Sequence, residues 1–225
     1  MKIGLYPGTF NPIHIGHLTV INYSIENLEL DLLYVIPNKY PVHKKRKYLI
    51  DPENRLKMIE ISTESMCYSS KIKVSDFEIK SDQDSYTFLT VEHFRNLYPL
   101  DNLFLILGID SIIYYYWHNF EIIFKSVDFL VVINNLCIKD DIFEFFSDKL
   151  YELNLKGEQH NEDLLEIIHK DPDWKRKFIL LDIPIIKVSS SLIWERLEEG
   201  RAIDYWVSEK VKDMLYKSYM NRIPK

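Results

Sequence analysis

The sequence predicts an α/β fold, a parallel sheet with helices on both faces, and three observations lead there. Apolar runs of strand length alternate with segments of helical period along most of the chain. The runs LFLIL at 103–107 and FLVVI at 129–133 are apolar throughout, as strands buried on both faces are. The intervening segments are long enough for the helical crossovers that join parallel strands with right-handed topology.

The first strand covers residues 3–6 and hands over to a helix at about 16–28. A second strand, DLLYVI at 31–36, precedes a Lys- and Pro-rich loop at 37–49. Residues 51–64 read as a helix, with Pro52 suited to its first turn, where a missing N–H costs nothing. Residues 72–79 alternate apolar and polar and predict a strand. A helix at 85–97 and strands at 103–107, 129–133 and 178–182 continue the rhythm. Residues 136–177 are charged, broken by Gly157 and Asp171-Pro172, and carry helix-period patches; they predict a helical insertion within one domain spanning 1–225. A helix at 190–199 closed by Gly200, then another at 208–219, predict a C-terminal helical cap over 186–225. The sum is one Rossmann-like domain, whose ligands belong beyond the C-terminal ends of its strands.

With 225 residues, 47% hydrophobic and 14% aromatic, the chain can bury one sizeable core. A net charge of −6 weighs against a nucleic-acid partner. No apolar run approaches the roughly 20 residues that span a bilayer, and the N-terminus carries no signal-peptide pattern, so the expectation is a cytoplasmic protein without a membrane partner. Cys67 and Cys137 lack metal-ligand spacing to any Cys or His and read as reduced thiols. The sequence leaves a homo-oligomer open.

The chemistry concentrates where the first strand runs into Gly8-Thr9-Phe10-Asn11-Pro12-Ile13-His14-Ile15-Gly16-His17. A helix start offers unpaired N–H groups and a positive dipole end, which together attract phosphate. His14 and His17 add two imidazoles there. The same spacing also suits half of a zinc site, but no third ligand stands at a fixed spacing. Neither G-x-x-x-x-G-K-[ST] nor G-x-G-x-x-G occurs.

GTFNPIHIGH resembles the G-x-F-x-P-x-H-x-G-H signature of the nucleotidylyltransferase superfamily, and Val188 to Trp194 (VSSSLIW) resembles the I-S-S-T-x-I-R signature of its adenylyltransferase branch. Pro41-Val42-His43-Lys44, Asn54 to Met58 (NRLKM), Ser85 to Thr90 (SYTFLT), and Gly108-Ile109-Asp110-Ser111 followed by Trp117 resemble segments of bacterial nicotinate-nucleotide adenylyltransferases. The resemblance spans residues 2–135 and 178–219. It implies transfer of AMP from ATP to nicotinic acid mononucleotide, with magnesium (Mg2+) accompanying ATP, and release of pyrophosphate.

On that resemblance His14, His17 and Lys44 are the catalytic candidates. Gly8, Thr9 and Phe10 line the phosphate turn, and Ser189, Ser190 and Ser191 meet the outer phosphates from a helix start. Gly108 and Asp110 serve the ribose or amine. Thr87 and the backbone near His118 serve the nicotinate carboxylate, and Trp117 stacks on the ring. The pattern departs at Trp194, where relatives carry arginine: an indole has one neutral donor and no charge. Arg196 is the nearest arginine and a substrate-binding candidate, although it stands ~200° further round a helix; Lys187 is another cation nearby. Rival readings are a sister enzyme acting on nicotinamide mononucleotide or phosphopantetheine, and a nucleotide-binding protein whose catalysis Trp194 has weakened. Arg55 reads as a structural residue.

Overall fold

The computed structural model describes residues 1–41, 48–114, 117–133, 173–184 and 186–220. Six strands form one sheet: β1 (Lys2–Gly8), β2 (Leu32–Pro37), β3 (Ile72–Val74), β4 (Asn102–Gly108), β5 (Asp128–Ile133) and β6 (Phe178–Asp182). Their order is β3-β2-β1-β4-β5-β6 and every pairing is parallel. The chain winds outward from β1 through β2 to β3, then returns to the other side of β1 with β4. That reversal opens a crevice between the C-terminal ends of β1 and β4, where Gly8 and Gly108 stand.

The helices are α1 (Ile15–Leu28), α2 (Pro52–Glu64), α3 (Phe77–Lys80), α4 (Thr87–Leu97), α5 (Ile109–Tyr114), α6 (Phe120–Ser126), α7 (Ser190–Glu198) and α8 (Glu209–Met220). Side chains alternate across each strand. Leu103, Leu105 and Leu107 of β4 therefore join one core with Val91, Phe94, Phe120 and Ile123, under α4 to α6. Phe104 and Ile106 join the other with Ile21, Ile25, Met58, Ile193 and Leu215, under α1, α2, α7 and α8. Close packing leaves no room at Gly4, where a Cβ would meet Leu30 Cδ1 at 2.7 Å and Ile106 Cδ1 at 3.0 Å.

Two sequence expectations change. The strand expected at 72–79 pairs with β2 only from Ile72 to Val74. Ser75 then turns the chain, its Oγ accepting from Phe77 N–H at 3.3 Å, and residues 77–80 form the single turn α3. On a sheet edge, one helical turn and a short alternating strand present nearly the same apolar pattern. Helices α5 and α6 were not expected; an aromatic, β-branched stretch gives a weak helical signal. Asn119, at φ 49°, sits at the start of α6. The C-terminal pair falls close to expectation: Ser189 Oγ caps α7 by accepting from Leu192 N–H at 3.2 Å, and Gly200 follows at φ 67°, a conformation glycine takes without strain. The helical insertion expected at 136–177 lies almost wholly outside the described residues; its end is a short turn, Trp174–Lys177, with Trp174 buried. Among the described residues no helix is long and apolar enough to cross a membrane.

Candidate active site

The turn from Gly8 to His14 connects β1 to α1 and forms the floor of the crevice. Phe10 takes φ 46°, a left-handed conformation unusual for its type, and the Asn11–Pro12 peptide is cis. The Phe10 ring is buried and wedges edge-on between Tyr6, at 5.3 Å, and His17, at 5.0 Å. Gly8 is needed because a Cβ would meet that ring at 3.0 Å. Gly16 is needed because a Cβ would meet the His14 ring at 3.0 and 3.1 Å.

His14 is the N-cap of α1, 6% exposed, and the first turn of α1 carries no acidic residue to offset its dipole. The His14 and His17 rings lie 3.8 Å apart, tilted by 31°. His14 N–H donates to His17 Nδ1 at 3.3 Å. An imidazole nitrogen that accepts carries no proton, so neutral His17 is protonated at Nε2 and acts as a donor there.

Two clefts meet at this point. The larger, about 640 Å³, is lined by Gly8, Thr9, Phe10, Asn11, Tyr48, Gly108, Ser190, Ser191 and Trp194. The smaller, about 290 Å³, has apolar walls from Val20, Ile109, Val132, Ile183, Ile186 and Val188, with His14 and Asp110 among its polar groups. Tyr6, His17 and Gly108 line both. A Cβ on Gly108 would meet nothing within 4 Å, so the bare backbone there faces open space.

Other candidates lie elsewhere. Ser189 caps α7 and lines neither cleft. Arg196, expected at phosphate, turns to the far end of α7: its Nε donates to Ala202 O at 2.8 Å and its guanidinium lies 4.9 Å over the Trp206 ring. The angle round the helix accounts for this. Lys187 is exposed. Trp117, expected on a substrate ring, is 8% exposed in the core under α4 to α6; its Nε1–H donates to Ser111 O at 3.0 Å and its ring meets Phe120 edge-on. Thr87 opens α4 and lines neither cleft, while neighbouring Tyr86 packs edge-on to His118 at 4.4 Å. Lys44 lies outside the described residues.

Arg55 is structural, as the sequence suggested, but its partners and those of Trp194 and Asn11 appear only in the fold. Trp194 is 5% exposed, stacks on Tyr48 at 5.3 Å and donates from Nε1 to Asn11 O at 2.9 Å. Asn11 in turn grips the chain at 48–50: its Nδ2 donates to Tyr48 O at 3.1 Å and its Oδ1 accepts from Ile50 N–H at 2.9 Å. Arg55 is fully buried and donates to the carbonyls of Thr9 (2.7 Å), Asn38 (2.7 Å), Lys39 (2.8 Å) and Ile50 (3.1 Å), so it clamps the turn after β1 to the loop after β2. Its helical spacing to Met58, Ile59 and Ser62, all buried, was the available signal that it faces inward. Burial pulls its pKa down to about 10, against the opposing charges of Asp51, Glu78 and Tyr40. Glu78, also buried, accepts from Thr90 Oγ1 at 2.7 Å; burial pushes its carboxyl up, while Thr90, Ser85 and the Arg55 charge oppose the shift. Among the described residues no group of three His, Cys, Asp or Glu side chains is placed to hold a metal ion.

A parallel sheet with a His-x-Gly-His helix start at its topological switch point defines a nucleotidyltransferase site. The cytidylyltransferase-like family model matches residues 5–196, and the chain belongs to that family. It is 33% identical over 212 residues, 94% of each chain, to a probable nicotinate-nucleotide adenylyltransferase of Flavobacterium johnsoniae. It is 30% identical over 217 residues, 96% of each chain, to the protein of the same description from Clostridium tetani. The fold matches Plasmodium falciparum nicotinic acid mononucleotide adenylyltransferase complexed with NaAD, at a TM-score of 0.68 and 20% identity over 96% of this chain and 95% of that one. The same enzyme complexed with APC also gives 0.68, at 19% identity over 97% and 96%.

Proposed function

We propose that this nucleotidyltransferase transfers AMP from ATP to nicotinic acid mononucleotide, giving deamido-NAD and pyrophosphate. The observation that carries the reading is His17, set in the wall common to two clefts at the N-terminus of α1. The smaller cleft, with its apolar walls and Asp110, suits adenosine; the larger suits the outer phosphates and the acceptor. A phosphate oxygen of the mononucleotide attacks the α-phosphorus, the bond from that phosphorus to the bridging oxygen breaks, and pyrophosphate leaves with the electron pair. The nucleophile is already ionised, so no general base is required. The protein's work is alignment and stabilisation of spreading negative charge. His17 Nε2–H and the positive end of the α1 dipole supply that stabilisation.

Magnesium, bound with ATP, would supply positive charge against the departing pyrophosphate. The carboxylates that line the clefts are Asp110 in the smaller and Glu195 and Glu198 in the larger; oxygen donors of this kind would suit a hard cation carried mainly by phosphate oxygens. Use of ATP fits a reaction in the cytoplasm, the compartment this reading assigns.

The test is a substrate panel. ATP and magnesium are offered with nicotinic acid mononucleotide, nicotinamide mononucleotide or phosphopantetheine, and kcat/KM is read from pyrophosphate release. The acid mononucleotide is expected to lead. A preference for either other acceptor moves the chain to a sister activity, and no release by folded protein leaves a nucleotide-binding role.

A further inference from the structure

Trp194 occupies the place where relatives carry arginine, and its contacts give it a task of its own. We propose that Trp194 is a positioning residue for the phosphate turn: its indole N–H and its stack on Tyr48 hold residues 9–12 with the Asn11 carbonyl occupied, so that this oxygen does not stand bare toward the larger cleft. The proposal rests on the reading that this turn faces the polyphosphate of ATP.

The argument is an account of carbonyl groups. A bare carbonyl oxygen aimed at phosphate repels it, whereas a carbonyl that accepts from a fixed donor is held in place and partly neutralised, which favours the anion. Four carbonyls between Gly8 and Pro12 accept from donors outside the turn. Gly8 O accepts from Asn38 N–H at 3.0 Å, Thr9 O from Arg55 Nη1 at 2.7 Å, Asn11 O from Trp194 Nε1 at 2.9 Å and Pro12 O from Ser190 Oγ at 3.0 Å. Two of these donors come from α7. Ser190 and Trp194 are four residues apart, so they share one face of the helix and both reach the turn.

Trp194 also closes a circuit that links three parts of the chain. Its ring lies nearly parallel to Tyr48, at 20°, and its N–H holds Asn11 O. The Asn11 side chain then bonds both Tyr48 O and Ile50 N–H. Ring on ring, N–H on carbonyl and amide on main chain join α7, the turn and residues 48–50. At 5% exposure this is a poor place for an unpaired charge and a good one for a flat, neutral donor.

The test separates the N–H from the ring. Trp194→Phe keeps an aromatic face against Tyr48 and deletes the donor. ATP binding with magnesium, measured by calorimetry without acceptor, is the readout, because it does not depend on which acceptor the enzyme uses. Releasing one buried carbonyl predicts about a tenfold rise in the Kd for ATP, with KM for ATP rising in parallel and kcat changing far less. A folded Trp194→Phe variant with the wild-type Kd overturns the proposal, even if its Tm falls, since a loss of Tm alone is what mere packing would give. If the variant does not fold, the wild-type chain labelled with 15N at its indoles carries the test. The Trp194 N–H is then expected to resist solvent exchange and to shift when ATP is added; an indole N–H that exchanges freely or ignores ATP refutes the role. A wild-type protein that binds ATP but passes no AMP to the acid mononucleotide sinks the functional reading and leaves this test standing.

Discussion

Arg55→Ala is the perturbation whose consequence the structure defines most closely. The guanidinium is fully buried and its three shortest bonds, to the main-chain oxygens of Thr9, Asn38 and Lys39, lie at 2.7, 2.7 and 2.8 Å. A hydrogen bond to a charged group contributes a net ~1.5–3 kcal/mol, so these three sum to roughly 4.5–9 kcal/mol. Against that stands the cost of keeping a cation buried, several kcal/mol, which the alanine variant no longer carries. The difference is a net loss of about 3–5 kcal/mol, in line with breaking other buried charged networks. At ~2–4 °C per kcal/mol for a chain of this size, Tm falls by roughly 6–20 °C. Differential scanning calorimetry measures it, with circular dichroism to check the folded state. Arg55→Lys keeps a charge but offers three donors in no fixed fork, so it recovers only part of the loss. An Arg55→Ala variant that melts within about 2 °C of wild type would falsify the claim that this side chain clamps the turn to the loop after β2.

His17→Ala removes a donor from the junction of the two clefts; turnover is expected to fall by about 10²–10³-fold with an unchanged circular dichroism spectrum, and near-normal turnover would remove His17 from the mechanism. Glu78→Gln tests the buried carboxyl. Because burial raises its folded pKa above the ordinary 4.5, the folded protein holds a proton that the unfolded chain has released, so this group's contribution to stability is complete below 4.5 and declines as pH rises through the raised value. Glutamine does not titrate, and the Tm advantage of the variant over wild type should therefore be least near pH 4.5 and grow toward pH 7; a difference that stays flat with pH contradicts the assignment.

Much of this protein was legible before folding was considered. The continuous apolar runs at 103–107 and 129–133 could only be strands covered on both faces, and they are β4 and β5. The sequence from Gly8 to His17 pointed to a turn between a strand and a helix start, and that is where β1, the turn and α1 lie. Residues 72–79 were misread because local alternation does not say where a strand loses its neighbour. The helices α5 and α6 were missed for a related reason: aromatic stretches fold by what they pack against, and Phe120 and Phe129 stack at 5.7 Å only once β5 is in place.

The amino-acid order alone determined the layered α/β class and set two histidines around a glycine at a strand-to-helix junction, since these follow from periodicity and residue order; the space a Cβ would need at Gly8 and Gly16 is set by the folded rings of Phe10 and His14. Only the tertiary structure decided what Arg55, Trp117, Trp194 and Arg196 do. A long side chain reaches partners far away in sequence, as Trp194 reaches Asn11 O across 183 positions, and the choice between a cleft and a core depends on which helices close over the sheet.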